Sequence, residues 1–408
     1  MVTYNNPNVD ICESSDSVIG HPVRETKLKP LLLPGLCAFV LTGCLDSDDS
    51  NGNDRNIGTF TQIGVENLSY ETRSRSGTTD EEGRYSYLPG ETISFSIGDL
   101  PIASNVPTAP FLTSMDFTEE QRQRLQEGDI SEEGFHTHRI AEEELASSNR
   151  IAINTMRLIM ALGEDLQTDP SKPIRITDRT IEQLNRYLAE NEPDIDFSQP
   201  VLSFASPRTP KYDKKGNLEG GSVVNQMLDE ICFEPEGDEL CEPPPTRKEI
   251  SETTDDGLRQ DLEQKRQQIL DARHTLSEIS QNDVKNFLLS EAKDFRLDLE
   301  APYFLDPDAV TLAPDETGIQ EIRIRRIGSG GVQLQGIGAL DASAQGDALN
   351  LHSVDWQSGV VEYSHHGDAG DSGTILVNFK IESPDFENYR WFRKTVKVCV
   401  TENSQCSQ

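Results

Sequence analysis

Histidines beside carboxylates are the side chains of this 408-residue chain that could hold a metal ion. The densest group is His365, His366, Asp368 and Asp371. Adjacent residues at a strand end point to opposite faces of the sheet, so one ion would seldom use both histidines. We therefore expect exposed loop histidines and no metal centre or other cofactor, with Ca²⁺ left open because the chain is so acidic.

A second group is His136 and His138, with Glu132 and Glu133 nearby. Residues two apart on a strand share a face, but two imidazoles leave a zinc site incomplete. These histidines are also expected in an exposed loop.

The tetrad Gly370-Asp371-Ser372-Gly373 coincides with the sequence around the nucleophile of trypsin-like proteases. That chemistry needs a histidine base and a buried acid that orients it. No histidine in a matching context precedes the tetrad, so the four residues are interpreted as a hairpin turn. Walker, HExxH and dinucleotide-binding motifs are absent from the sequence.

An apolar stretch, Leu31 to Val40, follows three basic residues, Arg24, Lys27 and Lys29. It is shorter than the roughly 20 residues that a membrane-spanning helix needs. It ends in Leu41-Thr42-Gly43-Cys44, and this arrangement resembles the signal and lipobox of bacterial lipoproteins. The resemblance implies that the sulfur of Cys44 is lipidated and that residues 1–43, with their long polar preface, are a signal peptide.

The residue after the lipidated cysteine sorts lipoproteins between membranes, and an aspartate there favours the inner membrane. This chain has Leu45, so the resemblance implies a lipid anchor in the outer membrane, with the protein facing the periplasm or the cell surface. Residues 44–56 are acidic and lack hydrophobic periodicity, which predicts a flexible tether.

The cysteines fit this compartment. Of seven cysteines, Cys12 and Cys37 would leave with the signal and Cys44 would carry lipid. The remaining four allow three pairings. Short loops close at lower entropic cost, and disulfides persist outside the cytoplasm. We expect two local disulfides between the candidates Cys232, Cys241, Cys399 and Cys406.

The formal net charge is −34, from 71 acidic and 37 basic residues. Such a charge repels nucleic acids and anionic lipid head groups, which argues against both as partners. It is compatible with cationic ligands, and it is also typical of a solvated acidic surface.

Residues 57–202 are predicted to form an α+β module. Tyr85 and Tyr87 share one strand face, as do Ile93, Phe95 and Ile97. The runs SGTTDEEGRYSYLPGETISFSIGDL, NRIAINTMRLIMAL and PIRI resemble an uncharacterised module of proteobacterial lipoproteins and adhesin-like surface proteins. Some members carry a solvent-transport permease label, but this chain lacks the multiple apolar spans of a permease. The resemblance implies no activity.

Helices dominate the middle of the chain. Thr118 and Gln121 form a predicted capping box, and residues 139–162 are expected to form one helix. Residues 203–250 are interpreted as a linker with a disulfide loop, and residues 251–300 as a helical segment. Its apolar residues follow heptad spacing from Leu258 to Ile279, which suggests either a dimeric coiled coil or packing within the chain. We expect the second, and a monomer.

Residues 301–408 contain seven short runs separated by Gly, Asp and Ser turns, which predicts a β-sandwich. The runs are AVTLA, EIRIRRI, GVQLQGI, ALNLHSV, VVEYS, TILVNFKI and RWFRKTVKVCV. The ending GTILVNFKI and TVKVCV resembles the last strands of bacterial immunoglobulin-like surface domains. The expected fold class is therefore α+β: a small β-meander with a helical region, then an immunoglobulin-like sandwich.

Two functional hypotheses follow. The first is a non-catalytic outer-membrane lipoprotein with a binding, adhesion or envelope-structural role and an envelope protein or glycan as partner. The second is a periplasmic hydrolase or accessory enzyme with unrecognised catalytic carboxylates. Convergent desolvated acids in a pocket would favour the second.

Overall fold

A computed structural model describes residues 56–166, 169, 171–207, 211–212, 218–219, 221–328, 337–383 and 386–402. The predicted signal peptide, the lipobox with Cys44, nearly all of the tether, and Cys406 lie outside these residues. The described residues contain both helices and strands in several sheets, so the α+β prediction is confirmed.

The first described segment is a set of short strands. They are β1 (Asn56–Phe60), β2 (Val65–Glu66), β3 (Ser69–Thr72), β4 (Ser76–Thr78), β5 (Arg84–Tyr87), β6 (Thr92–Ile97), β7 (Leu100–Pro107) and β8 (Phe111–Leu112). One antiparallel sheet has the order β4-β3-β6-β7, and a second sheet has the order β5-β1-β8. Ile93, Phe95 and Ile97 are buried on alternate positions of β6, which confirms the predicted face. The turn after β6 needs glycine, because Gly98 has a φ of +53° and a Cβ there would lie 2.2 Å from Oδ1 of Asn185.

Helices follow with small hairpins between them. The elements are α1 (Glu119–Glu127), β9 (Asp129–Ile130), β10 (His136–Thr137), α2 (Arg139–Ser148), α3 (Arg150–Leu162), β11 (Ile174–Arg175) and α4 (Asp178–Asn191). The capping box of Thr118 and Gln121 is confirmed. The prediction of one helix over residues 139–162 is wrong. Asn149 has an extended backbone, and its side chain accepts the Ala152 N–H at 3.0 Å, so it ends α2 and caps α3.

The next elements are α5 (Val201–Phe204), β12 (Lys211–Tyr212), β13 (Leu218–Glu219), α6 (Val223–Asp229), α7 (Arg247–Glu252), α8 (Asp256–Asp271) and α9 (Gln281–Glu300). Cys232 and Cys241 form the expected disulfide. The heptad pattern does not continue as one helix, because α8 ends at Asp271. Leu276 and Ile279 lie beyond it and are buried in the chain's own core, while Leu258 at the start is half exposed.

The last segment consists of β14 (Tyr303–Asp306), β15 (Ala309–Leu312), β16 (Gln320–Arg326), β17 (Ile337–Gln345), β18 (Leu349–Asp355), β19 (Val360–His365), β20 (Ser372–Ser383) and β21 (Phe386–Val400). One sheet has the order β14-β16-β19-β18 and the other β15-β21-β20-β17. All pairings are antiparallel except that of β15 with β21, which is parallel.

Two apolar cores stabilise the described residues, which pack as one compact unit. The first core joins the early sheets to α3, α6 and α9, with Phe60, Ile159 and Phe287 at its centre. The second core lies between the two last sheets and includes Val361 and Phe379. The predicted domain boundary at residue 301 follows α9 and precedes β14. No helix among the described residues is long and apolar enough to cross a membrane.

Candidate functional site

The residues of the first candidate metal group do not converge. His365 is buried at the end of β19, so the expectation of an exposed loop histidine is wrong for this residue, whereas His366 is exposed and lies 3.1 Å from the amide nitrogen of Asn350. The carboxylate of Asp371 accepts the backbone N–H of Asp368 at 2.8 Å and so closes a turn. No cluster of three metal-ligating side chains occurs among the described residues.

The tetrad at residues 370–373 lies where this turn enters β20. The N–H of Asp371 bonds to the carbonyl of Asp368 at 3.0 Å, and Gly370 has a φ of +103°. Ser372 is the first residue of β20 and pairs with Cys399 of β21. The tetrad thus lies at a turn, as predicted, but the turn is not a hairpin, because it joins β19 of one sheet to β20 of the other. Cys399 is described, but its predicted partner Cys406 is not, so that disulfide stays a prediction.

The second histidine pair holds the early part of the chain against the last strand. The ring of His136 stacks on Trp391, with centroids 4.4 Å apart. Nδ1 of His138 accepts the backbone N–H of Trp391 at 3.0 Å, which requires that nitrogen to be unprotonated. Burial, together with the positive charge of nearby Arg390, lowers the pKa of His138 to about 2. His138 is buried, so the expectation that both histidines are exposed is wrong.

Asn378 of β20 completes this attachment. Its Oδ1 accepts the N–H of His136 at 3.1 Å, and its Nδ2 donates to the carbonyls of His136 at 3.2 Å and Phe392 at 3.0 Å. The buried amide therefore bonds to β10 in the way that a neighbouring strand would.

A buried ion network lies beside these contacts. Glu142 of α2 is 1% exposed and pairs with Arg296 of α9 and with Arg390 of β21, whose Nε is 3.1 Å from Oε1 of the glutamate. The guanidinium of Arg390 also lies 5.5 Å from the ring centroid of Phe295. Asp116 is buried near Arg390; burial raises its pKa, and the arginine opposes that rise.

The junction of α2, α9, β10 and β21 encloses a cleft of about 690 Å³, within the size range of small-molecule sites. We call it the junction cleft. Its lining includes four basic side chains, Arg139, Lys293, Arg296 and Arg393, and four acidic ones, Glu132, Glu133, Glu143 and Glu300. Trp391, Ile140 and Leu297 supply apolar surface.

One further buried acid has a structural partner. Glu291 is completely buried on α9 and accepts the backbone N–H groups of Gln62 and Ile63. Those amides belong to a tight loop in which Thr61 and Gly64 have positive φ. Burial raises the pKa of Glu291 to about 7, although its two backbone hydrogen bonds oppose the rise. Glu291 is not among the residues that line the junction cleft.

Sequence reasoning missed Glu142, Arg296 and Arg390, which are far apart in the chain and match no motif. A signal for Arg390 was present, because it lies two residues before buried Phe392 and shares its strand face. No protein-family model, curated protein or solved structure matches this chain.

Proposed function

We propose that this protein is a non-catalytic lipoprotein of the bacterial outer membrane that binds an envelope component in the junction cleft. The anchor is the lipid that the resemblance of Leu41-Thr42-Gly43-Cys44 to a lipobox implies at Cys44. Leu45 supports sorting to the outer membrane over retention in the inner one. The disulfide of Cys232 and Cys241 is consistent with an oxidising compartment.

We further propose that the last eight strands form an immunoglobulin-like sandwich. With β14 to β21 lettered A, A′, B, C, D, E, F and G, the two sheets have the orders A-B-E-D and A′-G-F-C. Constant-type immunoglobulin domains have the orders ABED and CFG. Parallel pairing of A′ with G accounts for the extra strand, and the shared core between the sheets supports the same proposal.

The partners of the buried acidic side chains support a binding function over a catalytic one. A hydrolase needs carboxylates that converge on substrate and are free to exchange protons. Glu142 is held by two arginines, Glu291 by two backbone amides and Asp116 by the backbone N–H and hydroxyl of Thr113. Each buried acid thus stabilises structure, and the junction cleft offers shape and fixed charge for binding.

Fractionation of bacterial envelopes tests the anchor. The wild-type protein is expected in the outer-membrane fraction with palmitate label on its first mature residue. The Cys44→Ser variant should lose the label and leave the membrane. Unchanged labelling of this variant would contradict the proposal.

Capture from solubilised outer membranes tests the binding role. The lipidated protein should retain an envelope protein or glycan after washing. The Arg325→Gln variant should retain the same material, because Arg325 is half exposed and lies outside the lining of the junction cleft. Recovery of the protein alone, from membranes of several growth conditions, would overturn this part of the proposal.

A further inference from the structure

The junction cleft is lined by equal numbers of basic and acidic side chains, although the chain as a whole carries a charge of −34. Three lining acids already have basic partners. Glu133 pairs with Arg393, Glu143 with Lys285 at 2.9 Å, and Glu300 with Lys394 at 2.7 Å.

The unpaired bases lie on the helical wall. Arg139 of α2 and Lys293 of α9 both line the cleft and are exposed, and neither has an ion-pair partner within the described part of the chain. Arg296 lies between this wall and buried Glu142, which it must share with Arg390. Glu132 is the one lining acid without an ion pair among the described residues, so two unpaired basic side chains face one unpaired acidic side chain in the cleft.

The neighbouring charges affect the pKa of Arg296. Burial, together with the positive charges of Arg390 and Arg139, lowers this pKa to about 10, although the carboxylate of Glu300 opposes the shift. Arg390 and Arg139 thus add to the positive potential around Arg296, and an anion bound at Arg139 and Lys293 would reduce this repulsion.

Apolar surface lies next to this charge. Ile140 is 47% exposed and Leu297 52%, on the neighbouring helices α2 and α9. The half-buried ring of Trp391, held flat by His136, lines the same cleft. A sugar ring matches such a surface, because it has apolar C–H faces and a rim of hydroxyl groups that polar side chains can bind.

We propose that the junction cleft binds an anionic saccharide, with its carboxylate or phosphate at Arg139 and Lys293 and its ring against Trp391. The volume of about 690 Å³ suits one sugar residue or a short oligosaccharide. This inference rests on the proposed binding function and names its ligand class. Arginine suits both anions, since its planar guanidinium can donate two parallel hydrogen bonds.

Calorimetric titration of the full chain tests the ligand class directly. The probes are glucuronate, glucose 6-phosphate and glucose, which share a ring and differ in charge. At least one anionic sugar should bind tenfold or more tightly than glucose, and the stronger of the two identifies carboxylate or phosphate as the natural group. Equal affinity for all three sugars, or no binding of any, would overturn the inference.

Variants then locate the site. Arg139→Gln and Lys293→Gln should each weaken binding of the anionic sugar about tenfold and leave the circular dichroism spectrum unchanged. Arg150→Gln is the matched control, because this exposed arginine lies outside the cleft lining and its loss should not affect affinity. Unchanged affinity in both cleft variants would contradict the assignment. N-acetylphenylalanine is an anionic probe without a sugar ring, and tighter binding of this probe than of either anionic sugar would also contradict it.

The two proposals fail in different ways. If envelope material is captured but no anionic sugar binds or displaces it, the saccharide inference is wrong and the binding function stands. If nothing is captured and no sugar binds, the binding function itself is wrong.

Discussion

Arg390 donates from Nε to Oε1 of Glu142 at 3.1 Å, although 248 residues separate them in the chain. Both side chains are at least 95% buried, and Arg296 bonds to the other oxygen of the same carboxylate. The last strand is thereby fixed to α2 and α9, and the junction cleft exists because this contact holds its two walls in place.

Removal of one arginine should destabilise the protein strongly. Arg390→Met is expected to lower the free energy of unfolding by about 3 kcal/mol, because a buried carboxylate then loses one of its compensating charges. Urea denaturation measures this change. Arg325→Met is the control: its pair with Asp306 is half exposed, and its loss should cost less than about 1 kcal/mol. Equal effects of the two substitutions would show that the buried ion network stabilises the protein no more than an exposed ion pair does.

Glu291 should make the protein less stable as pH rises. The folded-state pKa of about 7 exceeds the ordinary value of 4.5, so the folded state holds this proton more tightly. The stabilisation is fully present below pH 4.5 and is lost as pH rises through 7, by about 3 kcal/mol in total. Glu291→Gln removes this dependence. Relative to wild type, this variant should therefore gain about 3 kcal/mol between pH 4.5 and pH 8.

Urea denaturation at several pH values tests the Glu291 prediction. Glu182→Gln, at an exposed position of α4, provides a control that should follow the wild-type curve. A constant difference between wild type and Glu291→Gln over this range would contradict the raised pKa.

His138 should act in the opposite direction. Its pKa of about 2 in the folded state lies below the ordinary value of 6.5, so the unfolded chain takes up the proton first. Stability is lost as pH falls below 6.5, at up to about 1.4 kcal/mol per pH unit. His138→Asn keeps an acceptor near the Trp391 N–H but does not titrate. This variant should therefore lose less stability than wild type between pH 7 and pH 5, by about 2 kcal/mol.

Glu291 and His138 have opposite effects on wild-type stability between pH 4.5 and pH 6.5, so the effect of His138 is measured as the difference between variant and wild type. A second histidine substitution serves as the control for this difference. His352 is exposed, with Nε2 2.8 Å from the Ser364 hydroxyl, and His352→Asn should leave the pH profile unchanged. If His138→Asn also leaves the profile unchanged, His138 is not held neutral by burial.

The disulfide of Cys232 and Cys241 should add about 3 kcal/mol of stability, the value expected for a loop of roughly ten residues. The double variant Cys232→Ser, Cys241→Ser is expected to lose that amount in urea denaturation under oxidising conditions. Arg179 donates to Sγ of Cys241 at 3.1 Å and to the carbonyl of Glu234, so Arg179→Met serves to separate the effect of this contact from that of the covalent bond. Equal stability of the double variant and wild type would sink the prediction.

Local patterns predicted the elements that local physics controls. Alternation on β6 gave the buried face of Ile93 and Phe95, and the capping box gave the start of α1. The break at Asn149 was missed, because apolar periodicity continues across it and only the capping hydrogen bond separates the helices. Strands β14 and β17 were also missed, since β14 has four residues and β17 carries few large apolar side chains.

The junction cleft could not be predicted, because its geometry depends on pairs of residues distant in sequence. Asn378 and His136 are 242 residues apart, and the sequence around either residue does not indicate that they are in contact. The histidines of residues 136 and 138 were recognised as a pair, but as metal candidates. In the structure the ring of His136 stacks on Trp391, and the unprotonated Nδ1 of His138 accepts the backbone N–H of Trp391.

The contact of Arg390 with Glu142 also has a consequence for biosynthesis. A ribosome adds about 5 to 20 residues per second, so α2 is complete many seconds before the last strand is made. Glu142 lacks both of its arginines until residue 296 is made and one of them until residue 390 is made, and a chain truncated before residue 390 never acquires the second. A copy that ends before residue 390 therefore has at most one arginine to compensate Glu142, and we expect it to unfold more readily than the complete chain and to be cleaved faster by proteases.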